Sequence, residues 1–504
     1  MDEKEDKKGL TRRGLIKCTA IGAGVIALGG FGIREVKAVP PPKKWDRETD
    51  IVIVGSGFSG LAAALVAFDA GAKVIVLEKM PTHGGNSIIN GGQMAAWNSK
   101  IRKQRPDLEA DSPELMFQDM MKAGHNLNWP ELVKTVVDGA PDALDWLVDM
   151  GVVFPPKLVV QAGGHSRART HQTENISGSD IIAALYKNTQ RRKIPVLLEQ
   201  QVTGIVREQP LAGKVLGVQV KSRGKSLYFK SKKACILASG GYSRDVKMRT
   251  KEVPYLTAEW LSTNQPGATG EAIRAAEDVS AATTQTDRIQ LYPFADPYTG
   301  ILDKPALIPF TSPAFAIYVW KNGKRFISEL APREAIASYE AFVLKEKPTW
   351  TIFDEAMWPN FTRIEVITDG IAKKRVFKAD TLEGVAKAAG IDPAGLVETV
   401  GKYNSYVDAG VDKDFGKPRM RAKISKAPFY AVPQWPAIHH TMGGLQITAK
   451  TELLDREGKV IPKLYAAGEV TGGVHGGDRL GSCAVTDCIV MGRIAGKYAA
   501  AEKA

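Results

Sequence analysis

The chain has 504 residues, 44% of them hydrophobic, which is enough apolar mass for two or three domains rather than one. Its formal net charge is +13; residues 1–38 hold eight basic and five acidic side chains, leaving 60 against 50, or +10, on the remainder. That balance suits an acidic protein partner, anionic substrates or a plain solvated surface, and the lack of any Lys/Arg tract interleaved with aromatics argues against nucleic acid.

At the N-terminus, Thr11-Arg12-Arg13-Gly14-Leu15-Ile16-Lys17 resembles a twin-arginine consensus. An apolar run from Cys18 to Ile33 follows, then small residues at Val36 and Ala38. The run is shorter than the roughly 20 residues that cross a bilayer, so 1–38 reads as a cleaved signal peptide. The twin-arginine export machinery carries folded proteins, so a cofactor can be inserted before the protein reaches the periplasm. Residues 39–44 form a stiff Pro-rich linker.

A β-branched strand over Asp50–Val54 runs directly into Gly55-Ser56-Gly57-Phe58-Ser59-Gly60, then a helix pattern to Ala70, then a second strand ending at Glu78. Gly55, Gly57 and Gly60 permit a tight turn and close approach of a pyrophosphate to a helix N-terminus, with Ser59 beside them. Glu78 is placed to accept from adenosine ribose hydroxyls. NAD and FAD share this fingerprint. Further Gly-rich strand ends decide for FAD: "HGGNSIINGGQM", with Asn86, Ser87, Gly91 and Gly92; "ACILASGGYS", with Ala238 and Gly240; and "KLYAAGEVTGG", with Gly468 and Glu469 at its tip. A C-terminal helix starts near Ala484 and Val485, where its dipole can meet the flavin carbonyl on which negative charge gathers. Lys79 and Val202 complete this cofactor set.

"STNQPGATGEA" (Ser262–Ala272), "GKRFISELAPRE" (Gly323–Glu334), "HHTMGGLQI" (His439–Ile447) and "AAGEVTGGVHGGDRLG" (Ala466–Gly481) resemble the fumarate reductase/succinate dehydrogenase flavoprotein family. The likeness is to its soluble periplasmic flavocytochrome c branch and the related enoate reductases, and it spans nearly the whole mature chain. It implies an α/β fold: an FAD-binding Rossmann-like domain in two segments, 45–290 and 437–504, with an α+β capping domain inserted over 291–436. A β hairpin insertion is expected near Gly204–Phe229.

Carried over by position, the resemblance makes Arg333 the proton donor to a carbanion-like carbon. His439 and Arg479 hold the substrate carboxylate, with Ser482 nearby. Asn264, Glu271 and His440 are flavin contacts. His83 is out of register for a covalent flavin link, so the FAD is expected to be non-covalent.

Two features depart from the family pattern. Tyr292 stands where a fumarate reductase has a histidine, and Ile308, Pro309 and Phe310 replace its Thr-Glu pair, with Ser312 in place of a further arginine. A second substrate carboxylate would there be buried unpaired, at a cost of several kcal/mol. A small mono-carboxylate enoate such as methacrylate or cinnamate is therefore expected, against a wall drawn from Tyr292, Tyr298, Phe310 and Phe315. The proton-relay glutamate is also missing, leaving water, Glu329 or Glu334 to recharge Arg333.

Of four cysteines, Cys18 is in the leader; Cys235, Cys483 and Cys488 form neither a zinc pattern nor a C-x-x-C-H haem motif, and an odd three argues against a disulfide framework. No metal is expected. Electrons must then come from a separate c-type cytochrome or another periplasmic donor, so that an external acid serves anaerobic respiration.

Overall fold

The computed structural model describes residues 38–302, 313–355, 357 and 364–504. The leader over 1–37 and the segment holding Ile308, Pro309, Phe310 and Ser312 lie outside them. Strand β1 (Arg47–Val54) is unbroken Ile51-Val52-Ile53-Val54 at its end, and Ile51, Val52 and Ile53 have no exposed surface. Such a run, buried on both faces, suits the middle of a parallel sheet. Helix α1 (Phe58–Asp69) follows, then β2 (Val74–Leu77), parallel to β1. The edge strand β3 (Val196–Leu197) extends that side. The expected insertion is a meander of β4 (Gln201–Gln209), β5 (Ala212–Ser222) and β6 (Lys225–Leu237). β6 bends back to lie parallel to β1 on its other side.

The capping region is entered on β7 (Ile289–Ala295) and left on β11 (Phe429–Thr441), which pair antiparallel. Between them come β8 (Ile317–Val319), α2 (Arg333–Ser338), β9 (Thr349–Asp354) and β10 (Phe377–Ala379). The cap sheet runs β7–β11–β9–β8, with β10 also on β11. Helices Leu382–Ala389 and Pro393–Ala409 cover one face of it. At the cap's centre Arg325 pairs with Glu329 and Asp412, and Lys417 also reaches Glu329, all four side chains fully or almost fully buried.

The chain then returns to the first sheet through β12 (Glu452–Leu454) and β13 (Val460–Ala466) and ends in helix α3 (Cys483–Ala501). The order of the eight-stranded sheet is β12–β13–β6–β1–β2–β3, with β5 attached to β6 and β4 to β5. α3 packs directly on α1 because Gly492 and Gly496 carry no Cβ: one would stand 2.6 Å from the Ser59 carbonyl and 2.4 Å from that of Ala63. Among the described residues no helix is long and apolar enough to cross a membrane.

Candidate active site

The turn from β1 to α1 admits only glycine at two points. A Cβ on Gly55, whose φ is +106°, would stand 2.3 Å from the Ala238 carbonyl oxygen, and one on Gly60 would stand 2.0 Å from that of Gly55. The helix therefore starts hard against the strand ends, and Gly57 at its N-cap supplies no side-chain acceptor for the first N–H groups. The Phe58 N–H goes to Ser87 Oγ at 3.0 Å, and the helix start beside it suits an anion. At the end of β2, Glu78 is 6% exposed and takes the Ser56 N–H at 3.1 Å and the Met80 N–H at 2.9 Å. Gly55, Gly57, Ser59, Glu78, Lys79, Asn86, Ser87, Val202, Ala238, Gly240 and Glu271 line one cleft there. Lys79 is held by Glu271 at 2.8 Å and Thr269 at 2.6 Å.

Phe58, Asn86, Ser87, Glu469 and Cys488 belong both to this cleft, of ≈ 100 Å³, and to a second cavity of ≈ 140 Å³, so the two are continuous. Gly91, Asn264, His440, Glu469, Ser482, Ala484 and Val485 line the second. Helix α3 begins here with no side-chain cap, after Ser482 at φ +64°. His440 Nε2 and, beside the first cleft, Ser239 Oγ are buried without a hydrogen-bond partner among the described residues. An acid at a strand end, a helix start against the glycine turn, two continuous cavities, an unpaired hydroxyl at Ser239 beside the first and an unpaired ring nitrogen at His440 in the second fit an extended dinucleotide whose ring lies in the second cavity. These residues fit FAD.

Three glycines assigned to the cofactor act one layer back. Gly60 is needed by the Gly55 carbonyl, and neither cavity is lined by Gly92 or Gly468. A Cβ on Gly92 would meet Thr173 Oγ1 at 2.4 Å, and one on Gly468 would meet Ser59 Oγ at 2.3 Å, so both set loop packing. His83 lines neither cavity and stacks on Tyr186 at 3.8 Å.

The far end of the second cavity joins the cap to the returning segment. Arg333, from the start of α2, Tyr292, from β7, His439, from β11, and Arg479 line it together. Burial lowers the Arg333 guanidinium from its usual value, against the opposing pull of Tyr292, Asp478 and Cys483. Arg479 is lowered to about 10, first by burial and then by the charge of Arg333. Two buried guanidiniums that repel each other make a site that an anion stabilises. Arg479 Nη2 donates to Gln290 Oε1 at 2.7 Å while its Nε is buried without a partner among the described residues.

His439 is held well below the usual histidine range by burial, then by Arg479 and Arg333, so it is neutral. Its Nδ1 meets the Thr263 hydroxyl at 2.7 Å, which leaves Nε2 for the cavity. Tyr292, 1% exposed, lies against His439 with ring centroids 4.9 Å apart, and the Arg333 guanidinium carbon sits 5.2 Å from the centroid of the Tyr292 ring. Behind His440, burial raises the Glu469 carboxyl, which accepts the Thr441 N–H at 3.0 Å.

The structure removes several expected participants. Tyr298 is 67% exposed and faces Lys347 on the surface, and Phe315 packs with Phe353 and Tyr430 in the cap, so neither forms a substrate wall. Glu329 is consumed by Arg325 and Lys417, and Glu334 is half-exposed and paired with His125 at 2.9 Å. Conversely, Thr263, which orients His439, lies inside a quoted motif without a role read for it, and Gln290, which orients Arg479, carries no motif; they become legible through the Ser262–Ile438 bridge and the β7–β11 register. Leu302 and Cys488 also line the second cavity. Cys235, Cys483 and Cys488 are free thiols pushed up to about 12 by burial.

A family model described as FAD binding domain matches residues 50–485. The fumarate reductase (cytochrome) of Shewanella frigidimarina is 38% identical over 455 residues, 90% of this chain and 77% of that protein. The acrylate reductase flavoprotein subunit of Shewanella woodyi is 34% identical over 98% of this chain and 99% of its own length. The open conformation of a flavocytochrome c3 fumarate reductase superposes with a TM-score of 0.74 at 32% identity, covering 99% of this chain and 83% of that one.

Proposed function

This chain belongs to the FAD binding domain family of fumarate reductase-type flavoproteins, and from that premise we propose that it reduces the C=C bond of a small α,β-unsaturated monocarboxylate of the acrylate, methacrylate or cinnamate kind. The observation that carries the reading is the far end of the second cavity. One carboxylate has Arg479 and neutral His439 to receive it, and the ring of Tyr292, which lines the same cavity, packs against His439. An anion there offsets the repulsion of two guanidiniums. A second carboxylate on the same molecule finds an aromatic face instead of a donor pair.

When bound, FAD supplies hydride from its N5 atom. The chain's own residues do the rest. Arg479 and His439 bind and orient the carboxylate that withdraws electrons from the double bond. Arg333 holds a proton at a guanidinium whose burial makes it a better acid than a solvated arginine. Tyr292, in contact with both His439 and Arg333, keeps water from them. The FAD is held non-covalently in this reading, supported by the engagement of His83 with Tyr186 away from both cavities.

The electron donor is a separate c-type cytochrome. The chain has no C-x-x-C-H, and the matching Shewanella woodyi protein is called a flavoprotein subunit. The site of action is the periplasm, a reading supported by the twin-arginine pattern at Arg12 and Arg13. Cell fractionation of Arg12→Lys/Arg13→Lys against wild type tests it; a wild-type protein retained in the cytoplasm refutes it.

The substrate assay is anaerobic oxidation of reduced methyl viologen by the FAD-loaded protein with fumarate, acrylate, methacrylate, cinnamate and urocanate. Turnover on a monocarboxylate well above fumarate is the expected result. Fumarate as the best substrate would refute the role given to Tyr292, and silence on every acid would refute the reductase.

A further inference from the structure

Helix α2 does not stop in an ordinary turn. It runs into a π-helical turn over Tyr339–Leu344, a widening that recurs where a side chain has to be aimed. The side chain aimed inward is Glu340, which has no exposed surface. Its Oε1 accepts from the Thr349 hydroxyl and from the Gln434 amide at 3.1 Å, and its Oε2 is buried with no hydrogen-bond partner among the described residues. Both partners are neutral, so nothing there stabilises a carboxylate as Arg325 and Lys417 stabilise Glu329. Burial pushes the Glu340 carboxyl up to about 8, so it carries a proton at neutral pH.

Other polar groups lead from this acid toward Arg333. Gln434 Oε1 accepts from the Thr351 hydroxyl at 2.6 Å, and Thr351 lies opposite Tyr318 in the β8–β9 register. Tyr318 is fully buried, and its phenol is raised by burial and then by Glu329, Tyr292 and Glu340. Tyr318 and Tyr292 both pack on Phe294, each at 5.4 Å between ring centroids, and Arg333 stands 5.2 Å from the Tyr292 ring. The surroundings are otherwise apolar: Phe294, Phe326, Ile336 and Ala437. A neutral acid and two phenols placed in such a cluster are costly to bury, which argues that they have a use.

We propose that Glu340 resupplies the proton that Arg333 gives up, passing it through Tyr318 and Tyr292. The inference rests on the enoate reductase reading above. As an Arg333 N–H bond breaks, a C–H bond forms on the substrate. Tyr292 then protonates the neutral guanidine, Tyr318 replaces the proton of Tyr292, and Glu340 replaces that of Tyr318. The net change inside the protein is one O–H bond lost at Glu340, which solvent restores. The track carries protons alone, because the electron pair reaches the substrate with the hydride.

The titratable groups facing Glu340 and its route are Tyr318 on β8, Tyr292 on β7, Arg333 on its own helix and Glu329, whose charge is paired; β9 presents the neutral Thr349, β11 the neutral Gln434 and, against Tyr292, the neutral His439, while Arg479, Asp478 and Cys483 face Arg333 from the returning segment. The donor must be protonated to act, so turnover falls as pH rises through its ionisation.

The test compares wild type, Glu340→Gln and Tyr318→Phe as FAD-loaded full chains with reduced methyl viologen and the best monocarboxylate, from about pH 6 to 9, in H₂O and D₂O. Wild-type kcat is expected to fall above pH about 8. Both variants are expected to lose at least about tenfold in kcat with KM little changed, to lose that alkaline limb, and to show a larger solvent isotope effect. Glu340→Asp should recover part of the rate. If Glu340→Gln does not hold FAD, the isosteric Tyr318→Phe decides alone. Variants that keep the wild-type rate and pH profile overturn the relay while leaving the reductase standing. A wild type silent on every enoate overturns the reductase and the relay with it.

Discussion

Replacing Arg333 by alanine separates binding from chemistry in this site. Arg333 comes from the cap and lines the second cavity, whereas the glycine turn, Glu78 and the Lys79–Glu271 pair that shape the first cleft come from elsewhere. FAD absorbance should therefore persist. The carboxylate ligands also remain, and removing a neighbouring positive charge relieves Arg479 and His439, each of which the Arg333 charge opposes. KM should then move by less than about tenfold. What is lost is, among the described residues, the one guanidinium lining that cavity besides the Arg479 of the carboxylate clamp. General acid catalysis is worth roughly 10²–10⁴, so kcat should fall about a thousandfold, or about 4 kcal/mol. Anaerobic viologen oxidation with a monocarboxylate reads both parameters. Near-full turnover by Arg333→Ala would refute its role as proton donor, and a large rise in KM at unchanged kcat would make it a binding residue.

Gly60→Ala should give a protein purified without flavin, since its Cβ falls 2.0 Å from the Gly55 carbonyl; a yellow, fully loaded variant would mean that the turn can open. Glu329→Gln leaves Arg325, Lys417 and Asp412 with one fewer negative charge in a closed cluster and should cost ~3–5 kcal/mol of stability in thermal or urea unfolding; a change within experimental error would show that water reaches the pair. His165 and His171 are each lowered to about 4 by burial. The fold keeps them neutral while the unfolded chain binds protons below its ordinary histidine value, so their stabilisation is present above about pH 6.5 and is lost on acidification toward pH 4. Each should contribute a slope of about 1.4 kcal/mol per pH unit in that window, and His171→Gln should remove one such share; an unaltered slope would count against the argument.

Much of the cofactor cleft was legible because its demands are local. A strand that must be buried on both faces is written as Ile51–Val54, and a turn that must let a helix touch a strand end is written as Gly55 and Gly60, whatever the rest of the chain does. The acid at the end of β2 follows from strand length alone. The motifs around Arg333, His439 and Arg479 named residues that the fold does bring to one cavity. Less legible were the residues whose role depends on which strands pair. Gln290 and Thr263 orient the clamp only because β7 lies against β11 and the Ser262 segment beside Ile438. Tyr298 and Phe315 looked equivalent to Tyr292 by composition, yet one faces solvent and one the other side of the cap.

What the amino-acid order by itself determined is therefore the set of short-range constraints: where glycine is obligatory, which strands are central, which helix starts lack a cap. Only the tertiary structure decided which side chains share a space. Arg333 and Arg479 line one cavity although they lie far apart in the sequence, and a π-helical turn sets the buried Glu340 against Thr349 and Gln434 on two different strands. Side-chain direction changes by half a turn with each residue of strand register, and no local signal carries that parity across distant segments.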